Sequence, residues 1–205
     1  MILLFYKINS LHRYFIVYKP YKMISQFISP IAHRKLGELD FDFPEGTNAV
    51  GRLDHHSEGL LILTTDGKLT QRLLHPEKKH KRNYIVQVEK VVNEETILKL
   101  SSGIDILVKG KKGSYTTQPC SVTVIDKPDN LPYREDELMK EIPQSWLEFV
   151  LTEGKNRQIR KMCRTVRHKC RRLIRTKIEN LELGDMQPGE VREIEQKKLF
   201  ELLKL

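Results

Sequence analysis

The chain has 205 residues, enough for one large domain or two small ones around a buried core. Lys and Arg number 36 against 27 Asp and Glu, a net charge of +9 that suits a polyanionic partner, nucleic acid before an anionic membrane surface. No apolar run approaches the roughly eighteen residues of a membrane span, and three cysteines, an odd count, argue against a disulfide framework and for a reducing cytoplasm.

Residues 1–12 read as an N-terminal extension in which Ile2-Leu3-Leu4-Phe5-Tyr6 is a frayed or added strand. No Lys or Arg precedes that run and no small-residue cleavage site follows it, so a signal peptide is not expected. The folded unit starts near Arg13. Tyr14 to Tyr18 reads as a strand that Lys19-Pro20 ends, because proline cannot continue a central ladder. Residues 29–49 are loop-rich, with one helical turn near Arg34 to Leu39. The polar stretch Gly51-Arg52-Leu53-Asp54-His55-His56-Ser57-Glu58 then feeds an unbroken apolar block, Leu60 to Leu63, a short buried strand closed by the Asp66-Gly67 turn. For Asp54 the local pattern leaves two readings: a turn cap, or a carboxylate held against a protein wall and open to substrate.

Asp66 is placed to cap a short helix with Leu69, Leu73 and Leu74 on one face. After the basic cluster Lys78-Lys79-His80-Lys81-Arg82, Tyr84 to Val88 reads as a strand. Asn93 caps a helix to Leu100 that Gly103 closes, and Gln118 to Val124 alternates as a strand. Residues 126–143, with three prolines and Glu135-Asp136-Glu137, read as an exposed acidic connection to a strand over Trp146 to Leu151. Asn156 is placed to cap a helix whose apolar face is Ile159, Met162, Cys163 and Val166, with Arg157, Arg160, Arg164 and Arg167 off that face. From Gly154 through Ile178 there is no acidic residue among eleven Lys and Arg, so the charges repel one another unless a phosphate backbone relieves them. Hairpin-like strands mixed with scattered helices fit an α+β fold better than an alternating one.

Smaller groupings carry less. Cys163, His168 and Cys170 match no zinc-finger spacing and read as buried thiols. His55 and His56, adjacent in an extended loop, point apart, so joint metal ligation is not expected; one of them contacting phosphate or sugar and a plain loop role both stay open. No glycine-rich phosphate cradle and no serine or cysteine nucleophile motif is present.

Three stretches together resemble the RsuA-like family of RNA pseudouridine synthases. Gly51-Arg52-Leu53-Asp54 through Ser57-Glu58-Gly59-Leu60-Leu61 to Asp66-Gly67 fills every fixed position of the family's central motif, with His56 standing where close relatives usually have Asp. Lys81-Arg82-Asn83-Tyr84 is similar to its short tyrosine element. Glu153-Gly154-Lys155-Asn156-Arg157-Gln158-Ile159-Arg160-Lys161-Met162 is similar to its third block. The resemblance covers residues 13–195. The proline-bearing insert followed by Ile142-Pro143-Gln144-Ser145-Trp146-Leu147 is most like the subgroup that lacks an S4 RNA-binding domain and modifies 23S ribosomal RNA.

The resemblance implies a pseudouridine synthase catalytic domain over residues 13–205, with a mixed, mainly antiparallel sheet flanked by helices and loops. Asp54 is then the nucleophile, Arg160 its pairing and orienting cation, and Tyr84 the ring that stacks on uracil. Ile159 lines the base pocket, and Arg52 fills the space left by a flipped nucleotide. Lys81, Arg82, Lys155, Asn156, Arg157 and Gln158 are expected to bind the RNA. No cofactor and no metal is expected, and the protein should be a cytoplasmic monomer with no membrane partner. The same chemistry on small-subunit rRNA or tRNA, or a non-catalytic RNA-binding module for ribosome assembly, are the alternatives.

Overall fold

The structure is a computed structural model that describes residues 12–107 and 113–205. The apolar run at Ile2 to Tyr6 lies outside the described residues. Strand β1 (Tyr14–Lys19) is followed by a 3-10 turn at Leu36–Glu38, β2 (Asn48–Ala49), β3 (Glu58–Thr64) and helix α1 (Gly67–Leu74). Then come β4 (Arg82–Glu89), α2 (Glu94–Ser102), β5 (Asp105–Leu107), β6 (Ser114–Thr116), β7 (Ser121–Ile125) and β8 (Gln144–Leu151). Helix α3 (Gln158–Thr165), β9 (Cys170–Ile178), β10 (Leu181–Glu182), β11 (Val191–Glu193) and α4 (Gln196–Leu203) complete the chain.

One sheet runs β11-β1-β3-β9-β4-β8-β7, with β2 added to β3 and β10 to β9. Its pairs are antiparallel except β3 with β9, where Glu58 lies opposite Ile174 and Gly59 opposite Arg175. β5 and β6 form a separate hairpin. All seven residues of β3 are buried, which is why its sequence is a continuous apolar run and not an alternating one.

The sheet alternates its side chains between two packed faces. Tyr14, Leu60, Ile62 and Ile174 pack with Leu69 and Leu73 of α1 and Leu199 and Leu203 of α4. Phe15, Val17, Leu61 and Leu63 point the other way, into a loop layer of Met23, Leu36, Phe27, Phe41 and Phe43. At the far end Val86, Leu147, Phe149 and Leu173 pack against Leu100 of α2 and Ile159, Met162 and Cys163 of α3. The caps at Asp66 and Asn93 form as their sequence suggests, accepting from the backbone N–H of Lys68 and Thr96.

Four local expectations are corrected. Leu74 is turned out, 41% exposed, because Leu69 and Leu73 already fill the α1 contact. The strand placed at Gln118 starts only at Ser121, since Cys120 N–H bonds the Ser101 carbonyl and Gln118 N–H the Glu153 carboxylate. Asn156 is not a cap: α3 begins after Arg157, which sits in the left-handed region at φ 53 with no side-chain cap bond. The 126–143 connection is acidic but not simply exposed, because Arg134 is 8% and the Glu137 side chain 11% exposed in ion pairs to the sheet.

Gly59 sets the β3–β9 contact. Its φ is +97, and a Cβ there would stand 2.3 Å from the Arg175 carbonyl oxygen. Backbone cannot yield as a flexible side chain can. Gly59→Ala should therefore lower the unfolding free energy by more than about 3 kcal/mol, read by urea denaturation. A loss under about 1 kcal/mol would show that the close approach does not constrain this position.

Candidate active site

The loop before β3 is stapled in place from below. The Ser25 hydroxyl donates to the Leu53 carbonyl and accepts the Leu53 N–H, both at 2.9 Å. Ser57 N–H then donates to the Asp54 carbonyl at 2.9 Å, closing a turn over Asp54 to Ser57. The backbone of Asp54 closes that turn, while its carboxylate stays at a cavity wall, 31% exposed. The turn also overturns the expectation for the two histidines. Their side chains converge, with His55 Nδ1 3.4 Å from His56 Nε2, because the chain bends here instead of running extended. His55 stacks on His33 at 4.0 Å between ring centroids, and His56 Nδ1 lies 3.2 Å from the Tyr21 hydroxyl. Burial, and then the neighbouring positive charges, lower the pKa of both imidazoles.

The cation beside the carboxylate is Arg157, its Nη1 3.8 Å from Asp54 Oδ2. The expected ion pair of Asp54 with Arg160 does not form here. Arg160 is one helical turn further into α3, and its guanidinium is spent on backbone: Nη2 donates to the His56 carbonyl at 2.5 Å and Nη1 to the Cys170 carbonyl at 3.3 Å. The left-handed turn at Arg157 is what sends that side chain toward Asp54. Both partners are partly solvated, so the pair contributes little to stability, about 0–1 kcal/mol; it places charge at the cavity.

That cavity holds about 950 Å³. Among the residues singled out above, its wall brings together Arg52, Asp54, Arg82, Tyr84, Lys155, Asn156, Arg157, Gln158 and Ile159, and it leaves Lys81 and Arg160 off the surface. Gln158 is only 4% exposed, and its amide holds the preceding loop: Oε1 accepts Lys155 N–H at 2.9 Å and Nε2 donates to Glu153 at 2.8 Å. Tyr84 on β4 and Ile159 at the start of α3 line the same space as Asp54. The basic stretch Lys155 to Lys177 is thinner than its sequence suggests. Arg172 and Arg175 are buried, Arg171 pairs with Glu89, and Lys177 with Glu182.

Other residues of the site were not marked as such by the sequence, although Glu58 fills a position of the central motif. Arg175 reaches the cavity wall from β9, its Nε donating to the Leu60 carbonyl at 2.8 Å, and burial lowers its pKa. Glu58 sits in β3 between Arg172 and Arg134. Lys19 is fully buried, its ammonium donating to the Pro20 and Met23 carbonyls at 2.7 and 2.6 Å. Each is a charged residue in an apolar or strand context, where only the fold reveals the partner. Among the described residues no group of three or more His, Cys, Asp or Glu is arranged to hold a metal ion. No described helix is long and apolar enough to cross a membrane. A carboxylate, a facing guanidinium, an aromatic ring and an aliphatic wall in one cationic cavity can hold a planar polar ring of a polyanion and attack beside it.

The family profile described as RNA pseudouridylate synthase matches residues 13–165. The chain is 37% identical over 181 residues to the ribosomal large subunit pseudouridine synthase E of Vibrio parahaemolyticus, covering 86% of this chain and 71% of that one. It is 38% identical over 176 residues to the protein of the same name from Xanthomonas campestris pv. campestris, covering 85% and 91%. Among solved structures, one described as a pseudouridylate synthase superposes with a TM-score of 0.74 at 24% identity, over 93% of this chain and 74% of that one. The human RNA pseudouridylate synthase domain containing 1 superposes at 0.52 with 15% identity, over 89% and 78%. These two show a shared fold, an α+β architecture of the pseudouridine synthase kind.

Lys19 gives the site a pH signature. Burial lowers its pKa from 10.5 to about 7, against the pull of the Glu58 and Asp54 carboxylates. A lysine whose folded pKa lies below its unfolded one binds more protons unfolded, so stability rises with pH between the two values. The unfolding free energy should climb from about pH 7 toward pH 10, and Lys19→Met should lack that part of the slope when both are titrated with urea. Identical slopes in the two proteins would assign the titration elsewhere.

Proposed function

The chain belongs to the RNA pseudouridylate synthase family, and from that premise we propose that it isomerises a specific uridine of 23S ribosomal RNA with Asp54 as nucleophile. One observation carries the reading: the Asp54 carboxylate stands on its turn at the cavity wall, 3.8 Å from the Arg157 guanidinium, in the same cavity as Tyr84 and Ile159. The relatives named for the large ribosomal subunit support that substrate over other RNAs. Residues 13–205 act as one catalytic domain, a monomer working in the cytoplasm where the ribosomal RNA is.

The target uridine leaves its stack and enters the cavity, at a cost of a few kcal/mol. Arg52, beside Asp54 on the wall, fills the vacated space. Arg82, Lys155 and Arg157 meet the backbone phosphates, Lys81 meets them just outside the cavity, and Asn156 contacts the strand from the loop. Tyr84 stacks on the uracil and Ile159 packs against it. Asp54 attacks at the sugar–base junction, the N-glycosidic bond breaks, and the base turns in place. Carbon 5 then joins the anomeric carbon as the bond to Asp54 breaks, the proton on carbon 5 leaves to solvent, and N1, freed from the sugar, takes up a proton in its place. No atom is gained and no electron is lost, so the isomerisation calls for no redox cofactor or nucleotide triphosphate. Arg157 faces the carboxylate during the attack, while Arg160 orients it indirectly by holding the His56 carbonyl. Gln158 keeps the loop before α3 closed.

Asp54→Asn is nearly isosteric but a far poorer nucleophile. It should bind RNA as the wild type does and release no tritium above background from ribosomal RNA labelled with 5-tritiated uridine. Measurable turnover in that variant would remove Asp54 from its role.

Phosphate contacts should also make binding steeply salt-dependent. With about six of them, affinity should fall roughly a thousandfold between about 50 and 200 mM salt, on the duplex-DNA slope. A flat response in a filter-binding titration would remove the phosphate face.

A further inference from the structure

We propose that Arg134, in the 126–143 insert, is a positioning residue that holds the Asp54 turn through Tyr21 and Glu58; the proposal rests on the catalytic reading of Asp54 above. The insert is proline-bearing and acidic, yet Arg134 is only 8% exposed. Its guanidinium is held by two hydrogen bonds and an ion pair. Nη1 donates to Glu58 Oε1 at 3.0 Å, Nη2 to the Arg171 carbonyl at 3.2 Å, and Nε lies 2.7 Å from Asp136 Oδ1. A guanidinium held this way is a rigid plane.

That plane covers Tyr21, its central carbon 4.2 Å from the ring centroid. Tyr21 also meets Asp136 and Lys22, and it reaches His56 at 5.5 Å between ring centroids, with the hydroxyl 3.2 Å from His56 Nδ1. His56 belongs to the turn that presents Asp54, and its carbonyl is the atom Arg160 holds. The turn is therefore gripped between two arginines, Arg160 through the backbone and Arg134 through Tyr21. Arg134 also bonds Glu58, the first residue of β3, so the segment from His56 to Glu58 is tied to the insert at both ends. A planar fork over an aromatic ring is attractive and directional. Small displacements of a nucleophile are costly, a shift of about 1 Å lowering the rate about a hundredfold.

The test uses Arg134→Met, Arg134→Lys, Tyr21→Leu and the double change Arg134→Met with Tyr21→Leu in the full chain. Single-turnover rates come from tritium release from ribosomal RNA labelled with 5-tritiated uridine and taken from cells lacking the gene; RNA affinity and thermal unfolding are measured beside them. Arg134→Met and Tyr21→Leu should each lower the rate at least about tenfold while RNA affinity stays within about twofold. Arg134→Lys should recover part of the loss, and the double variant should be no slower than the worse single one. Amide hydrogen exchange over Asp54 to Ser57 should quicken in both single variants.

A folded Arg134→Met with wild-type rate and wild-type exchange overturns the proposal, as do losses that simply add in the double variant. If Arg134→Met does not fold, Tyr21→Leu decides alone: a wild-type rate and exchange overturn the route through Tyr21. If the wild type itself releases no tritium, the catalytic reading fails, and hydrogen exchange still decides whether Arg134 holds the turn.

Discussion

A carboxylate kept in the interior organises this structure. Glu58 meets Arg172 with both side chains buried, Nε to Oε1 and Nη2 to Oε2 at 3.1 Å. Taking these charges out of water is costly and is offset only by good geometry and further hydrogen bonds. The chain supplies them: Arg134 shares Glu58 Oε1, and Glu137 accepts from the other side of Arg172 at 3.1 Å. Removing one partner of such a group leaves an uncompensated charge, at about 3–5 kcal/mol. A single charged knot thus ties β3, β9 and the insert together just beyond Asp54.

Around the cavity a second rule holds. Several cationic side chains donate to backbone carbonyls and not to acids: Arg160 to His56 and Cys170, Arg175 to Leu60, Arg82 to His80. Carbonyl dipoles satisfy the donors without cancelling the charge. The positive field therefore survives at the wall, where it attracts a polyanion.

The parts of the fold legible in the sequence are those set by local patterns. The buried run Leu60 to Leu63, the caps at Asp66 and Asn93, and the apolar face of α3 depend on neighbours a few residues away. Asp54, Tyr84 and Ile159 were legible as one site through the motifs that carry them, and the structure brings them to one cavity. What was not legible depends on geometry between distant segments. The pairing cation shifts from Arg160 to Arg157 because α3 starts on a left-handed residue, which no capping pattern signals. His55 and His56 converge because one backbone hydrogen bond turns the chain. Arg134 sits in a stretch that reads as solvated, and its burial follows from Glu58, 76 positions earlier.

The parallel pairing of β3 with β9 also orders events in time. Glu58 and Arg172 are 114 positions apart, and Gly59 meets Arg175 across the same contact. The strand that follows the Asp54 loop is made early in synthesis, and the strand beside it is made late. Pairings of such sequence separation form slowly, because a long loop must close before the contact repays it. On the ribosome, β1 and β3 can pair as soon as they emerge, but β4, which carries Tyr84, joins them only through β9, which follows late. The cavity is thus incomplete through most of the chain's synthesis and can close only once β9, at Cys170–Ile178, has been made.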